Sequence, residues 1–239
     1  LEGAGALRAR DEPGLVCQQG HQSGESGQWS RKISRPTVVD DDSIRLLRVS
    51  HADRLSWRHN LLRTAENVAF LHWLSDRGSL TARIDARGRF AVRVLRQCLH
   101  RTTPDEAWAL GLVCGARAWV REVALSCDDR IVVFAHTVLP YRPRGPLTRW
   151  LARLGSRSLG ALLFSHAGFT RGPMAFKRID RRDAFFSSAI DGLQLGERAP
   201  GTLWARRSTF GFGGQSVLVT EVFSPTLLQL DRTGGPAAG

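Results

Sequence analysis

Two charged residues stand where the pattern of the chain asks for apolar ones. The run Ala118 to Cys127, AWVREVALSC, alternates with period two, so Trp119, Arg121, Val123 and Leu125 share one face of a strand. The run ending at Pro225 does the same: Val217, Val219, Glu221 and Phe223 share a face, with the carboxylate in the middle. An unpaired buried charge is costly, so each needs a partner. Arg121 and Glu221 could pair with each other, or with local partners, inside a sheet. They could instead be the two poles of a closed pocket. A planar guanidinium would then clamp a substrate carboxylate, and a desolvated Glu would hold a proton for it. Both readings stay open on patterning alone.

Arg206 and Arg207 raise the same question. On a strand over 202–212, Arg206 lines up with Trp204, Ser208 and Phe210, and Arg207 with Leu203, Ala205 and Thr209. One of them faces the pocket as a second anion contact, or they are exposed edge arginines. The glycines of Gly211–Gly214 lie between two strands rather than between a strand and a helix, so they read as turn chemistry and not as a nucleotide loop. The seven histidines form no H-E-x-x-H or H-x-H pattern, and none of Cys17, Cys98, Cys114 and Cys127 forms C-x-x-C. No metal site and no disulfide framework is expected.

The elements that position these residues follow in order. Ala65 to Arg77 carries helix-spaced apolar residues and stops at Gly78, and Ser79 is placed to cap a second helix over LTARIDAR. Phe90 to Leu99 alternates, and 104–110 reads as helix or loop. Ala118 to Cys127 and Arg130 to Pro140 form a hairpin around Asp128-Asp129. Two short helices follow, over 146–155 and after Ser158. Phe169 to Ile179 returns to strand, and 180–201 reads as a polar loop insertion. The hairpin of 202–212 and the run to Pro225 turns at Gly213-Gly214, and after Pro225 the chain frays. Hairpin connections predict an α+β fold with a largely antiparallel sheet. By composition, 1–43 is a disordered Gly/Ser/charge-rich tail, 44–64 an Arg-rich lead-in, 65–230 the domain and 231–239 a second disordered tail.

Charge and hydropathy narrow the classes. The formal net charge is +12, but only Lys32 and Lys177 are lysines, and the arginines are spread along the chain instead of forming one patch with stacking aromatics. Solvated surface arginine is favoured over nucleic-acid binding, and a small anionic substrate is compatible. No apolar run is long enough for a membrane span and no secretory leader is visible, so a cytoplasmic protein is expected.

From about Glu66 to Leu228 the chain resembles the chorismate pyruvate-lyase family. The carrying segments are AWVREVALSCDD, the TVLP strand end, LARLGSRSLGALLFS and above all LWARRSTFGFGGQSVLVTEVFSP. The resemblance implies a six-stranded antiparallel sheet with helices over one face and a ligand sealed beneath helical flaps. It implies cleavage of chorismate to 4-hydroxybenzoate and pyruvate for ubiquinone synthesis, by a monomer that needs no metal or organic cofactor. The Arg of the family's W-x-R-E strand, which binds the ring carboxylate, is Arg121 here. The Glu of its T-E-x-F strand, at the other end of the ring, is Glu221, and a protonated Glu221 would donate toward the ether oxygen as it leaves. A main-chain contact from the second flap falls at Leu159. One from the first flap, a Met in the family, falls at Leu80. The fold also resembles the effector-binding domain of certain bacterial transcription regulators, which would bind a small ligand without chemistry.

Overall fold

The computed structural model describes residues 57–142, 145–165 and 168–233. The expected tail over 1–43 and most of the lead-in lie outside them. Two short helices open the described chain, α1 (Leu71–Leu74) and α2 (Leu80–Asp85). Ser79 caps α2 as its sequence position suggests, its Oγ accepting from the Ala82 N–H. Of the helix expected over 65–77, only α1 is regular; the residues before it form consecutive turns.

The sheet comprises β1 (Phe90–Arg101), β2 (Arg117–Cys127), β3 (Arg130–Pro140), β4 (Thr170–Arg171), β5 (Ala175–Asp180), β6 (Thr202–Phe212) and β7 (Gln215–Phe223). All pairings are antiparallel, in the order β1-β2-β3-β7-β6-β4, with β5 also on β6. Six strands are long, as expected, and β4 is an added pair of residues. The strand anticipated over 169–179 is therefore interrupted: Gly172-Pro173-Met174 separates β4 from β5, and a proline has no N–H for the ladder. Both hairpins turn as their residues demand. Asp128 and Asp129 have φ of 47° and 64°, and Gly213 and Gly214 have 53° and 72°, the left-handed region two-residue turns require.

Helices cover both faces, not one. On the first face lie α1, α2, α4 (Pro146–Arg153) and α5 (Leu159–Ser165), over clusters that include Trp73, Leu80 and Phe223, or Leu151, Phe210 and Val217. On the second face lie α3 (Pro104–Ala109) and α6 (Phe186–Gly192). Here Phe134, Ala189, Leu193, Leu203 and Val222 pack together. Helix α6 corrects the reading of 180–201 as loop. Its polar residues face solvent, while Ala189 and Gly192 are buried. The chain does not fray after Pro225 either. Leu227 and Leu230 enter the core, and α7 (Leu230–Thr233) presents Asp231, whose carboxylate accepts from the Trp73 indole at 2.9 Å.

Candidate functional site

Register decides which charges meet. Arg121, Thr137, Val219 and Ser208 are successive partners across β2, β3, β7 and β6. Two residues along the strands, Val123, Ala135, Glu221 and Arg206 form the parallel row. All eight line one cavity on the first face. The flap helices close it with Thr81 of α2 and Ser158, Leu159, Gly160 and Leu163 around the start of α5. Its lining is largely apolar with a few convergent polar and charged groups, the character of a small-molecule site.

Arg121 and Glu221 therefore share the cavity without being a pair. They stand two strands and two residues apart, about 12 Å between Cα atoms at ordinary sheet spacings. The Arg121 side chain is 2% exposed. Its Nη1 donates to Gln97 Oε1 at 2.8 Å, and its Nη2 donates to the carbonyls of Gly155 at 2.7 Å and Arg157 at 3.3 Å. A bulge in β1 sets up the first contact. The ladder shifts between Val94 and Arg96, leaving Leu95 as an extra residue. Strict alternation would turn Gln97 to the other face; the bulge places it opposite Arg121. Among the described residues no carboxylate lies within ion-pair distance of Arg121. Burial pushes its pKa below the ordinary arginine value. A buried cation held only by neutral acceptors, on a cavity wall, is a site for an anion.

Glu221 pairs with Arg206, its partner in register: Arg206 Nε donates to Glu221 Oε2 at 2.5 Å. This corrects the expectation of a lone protonated carboxyl. Paired with Arg206, Glu221 stands as a carboxylate and so an acceptor. Arg206, 1% exposed, also donates through Nη1 to the carbonyls of Trp73 at 2.7 Å and Asp76 at 2.6 Å. It fastens the turn between α1 and α2 to the sheet beside Glu221. Of the two adjacent arginines, Arg206 faces the cavity. Arg207 is buried on the second face, where it donates to Asp105 Oδ2 at 2.7 Å and stacks on Trp57. Neither is an exposed edge arginine, because helices cover both faces.

Leu159 lines the cavity. Leu80 does not: its side chain packs in the core, and its neighbour Thr81 reaches the cavity. Thr81 Oγ1 lies 2.8 Å from Ser158 Oγ, so the two flaps touch through a hydroxyl pair. Sequence reasoning missed Thr81, Ser208 and Arg171. Arg171 sits in the two-residue β4, too short to show a period.

The second face holds a polar cluster that sequence reasoning also missed. His136 Nδ1 lies 3.0 Å from Glu122 Oε1 and its Nε2 lies 2.8 Å from Glu106 Oε1, with all three side chains buried. Glu122 and His136 are register partners, and Glu106 comes from α3, whose Thr103–Glu106 capping box fixes it. Among the described residues no group of His, Cys, Asp and Glu could hold a metal ion, and no helix is long and apolar enough to cross a membrane.

Comparison with known proteins shows the family of the chain. The family model described as "Chorismate lyase" matches residues 52–232. A protein of Dechloromonas aromatica strain RCB named "Probable chorismate pyruvate-lyase" is 45% identical over 178 residues, covering 74% of this chain and 98% of that one. Its namesake in Azoarcus sp. strain BH72 is 48% identical over 177 residues, covering 73% and 93%. A looser likeness is to the solved C-terminal domain of the histidine utilization repressor from Pseudomonas syringae pv. tomato str. DC3000. It has a TM-score of 0.44 and 15% identity, and the match covers 58% of this chain and 93% of that one. The chain belongs to the chorismate lyase family.

Proposed function

We propose that this protein is a chorismate pyruvate-lyase that cleaves chorismate to 4-hydroxybenzoate and pyruvate. The observation that carries the reading is Arg121, a buried guanidinium on the cavity wall whose protein partners are neutral. It forks onto the ring carboxylate. Glu221 stands at the opposite end, near the hydroxyl-bearing carbon. The ether C–O bond breaks with its electron pair leaving on the enolpyruvate oxygen, and the ring loses the proton of the hydroxyl-bearing carbon. Enolpyruvate takes a proton at its methylene carbon to become pyruvate. Aromatisation supplies the driving force, so the protein need only fold the substrate, exclude water and steady the departing charge. As an acceptor, Glu221 holds the ring hydroxyl or takes the ring proton, a role its ion pair with Arg206 suits better than donation to the ether oxygen.

Main-chain contacts at Leu159 and at Leu80 would seat the ring beneath the flaps, and the Leu80 side chain is not needed for one. A carbon–oxygen lyase acting as a cytoplasmic monomer without cofactor, and feeding ubiquinone synthesis, belongs to the same reading. The regulator-domain alternative is not better supported, because the family model and the relatives named as lyases match most of the chain.

The test is incubation with chorismate, following 4-hydroxybenzoate absorbance and pyruvate. The wild-type chain releases both in equal amounts. Arg121→Ala loses about 100-fold or more in kcat/KM, since it removes the charged partner of a desolvated carboxylate. Unchanged turnover in Arg121→Ala would show that the anchor lies elsewhere.

A further inference from the structure

Chorismate has a second carboxylate, on the side chain that departs, and Arg121 can answer only one. The cavity wall is charged for two. Among the described residues three arginines of the sheet line it, Arg121, Arg171 and Arg206, against one carboxylate, Glu221, while Arg157 lends its carbonyl to Arg121. Glu221 neutralises Arg206, whose Nε it occupies while two backbone carbonyls take Nη1. Beside that pair stands Arg171. It belongs to β4, on the far side of β6, whereas Arg121 belongs to β2.

Its guanidinium is well positioned. Arg171 Nε donates to Ser208 Oγ at 3.1 Å, and Nη1 donates to the Arg77 carbonyl at 2.6 Å. The group lies over the Phe210 ring at 5.3 Å. Ser208 ends the row that Arg121 begins, three strand spacings or about 14 Å away at the backbone. Both side chains reach inward from those ends, so a cation and a hydroxyl face Arg121 across the cavity. Burial, and then repulsion from Arg206, lower the Arg171 pKa from the ordinary arginine value, against attraction from Glu221 and Asp76.

We propose that Arg171, with Ser208, forms the subsite for the carboxylate of the departing enolpyruvyl group, and is the residue that selects a dicarboxylate over a monocarboxylate. The inference rests on the lyase reading above. As the ether bond breaks, negative charge spreads from the side-chain carboxylate onto the adjoining enolate. A guanidinium already in place there stabilises it without reorganisation. The aromatic product lacks this carboxylate, so it engages Arg121 and Glu221 but not Arg171.

The experiment pairs two measurements on Arg171→Gln and Arg171→Lys in the full chain: kcat/KM with chorismate, and the Kd of 4-hydroxybenzoate by calorimetry. Arg171→Gln is expected to lose about 100-fold in kcat/KM, because a desolvated carboxylate is left without its charge. Its product Kd stays within about twofold of wild type, as expected for a site the product does not touch. Arg171→Lys recovers part of the loss. Near-wild-type kcat/KM in Arg171→Gln overturns the assignment. So does a product Kd weakened in step with kcat/KM, which would make Arg171 a brace for the cavity and not a reader of the side chain. Failure of the wild-type chain to release pyruvate from chorismate overturns the lyase reading and this inference together, and is distinguishable because it precedes any substitution.

Discussion

At the scale of single residues, the site is defined by how each charge is compensated. Arg121 meets one side-chain amide and two carbonyls, all neutral, and needs its planar fork to reach them. Lysine in its place keeps the charge but cannot span the same acceptors. Arg121→Lys should therefore retain only about one hundredth of kcat/KM, measured with chorismate. Arg206 is different, because it closes an ion pair and carries the turn after α1. Arg206→Gln leaves Glu221 without its partner inside the protein. It should cost about 3–5 kcal/mol in unfolding free energy, read from denaturant midpoints. A loss below about 1 kcal/mol would mean that water replaces the contact, as at exposed pairs. Glu221→Gln keeps the shape and removes the charge. Chorismate turnover should fall far more than 4-hydroxybenzoate binding, since a neutral amide can still meet the ring hydroxyl but takes no proton.

At the scale of elements, the informative case is α6. A polar run with several small residues reads as loop, yet Ala189 and Gly192 are buried against the second face. A Cβ on Gly192 would come within 2.6 Å of Phe134 and 2.7 Å of Leu95. Gly192→Val should destabilise by about 1–3 kcal/mol through overpacking. A neutral result in thermal melts would return the segment to the surface. The flaps offer a second test. Thr81 and Ser158 join α2 to the start of α5 by one hydroxyl pair. Thr81→Ala removes it at a cost of about 1 kcal/mol, which should raise the off-rate of 4-hydroxybenzoate by roughly fivefold in stopped flow. The β1 bulge belongs to this scale too. Nothing in FAVRVLRQCLHR announces an extra residue at Leu95, because only the pairing with β2 shows that Gln97 must face Arg121.

For the whole molecule, the buried cluster on the second face ties stability to pH. Desolvation alone would lower the His136 pKa, but hydrogen bonds and charge from Glu106 and Glu122 outweigh it and raise it above the ordinary 6.5. Burial would raise the pKa of Glu106 and Glu122, but bonding and attraction to His136 outweigh it and lower both below 4.5. The His136 contribution is complete below the unfolded value near 6.5 and is lost as pH rises through the raised folded value. The two carboxylates contribute fully above their unfolded value near 4.5, and lose that contribution as pH falls through their lowered values. The midpoint of thermal unfolding should therefore be highest between these limits. His136→Gln should flatten the alkaline limb and lower the plateau. An alkaline limb unchanged in that variant would assign the pH dependence to other groups.

The sequence by itself determined whatever depends on neighbours along the chain. Alternation marked β2, β3, β6 and β7 and put Arg121 and Glu221 on apolar faces. Paired Asp and paired Gly set the two hairpin turns, and Ser79 set the start of α2. These are local steric and hydrogen-bonding preferences, carried within a few residues. Tertiary structure decided which charges met. The insertion of β7 between β3 and β6 made Arg206 the partner of Glu221 and left Arg121 with neutral acceptors. Pairing of β4 with β6 brought Arg171 to the wall, and pairing of β2 with β3 beneath α3 set His136 between two carboxylates. A charge on an apolar face is compensated by whatever lies across the strand or above the sheet. That neighbour is set by register and packing between segments far apart in the chain, which no local pattern encodes.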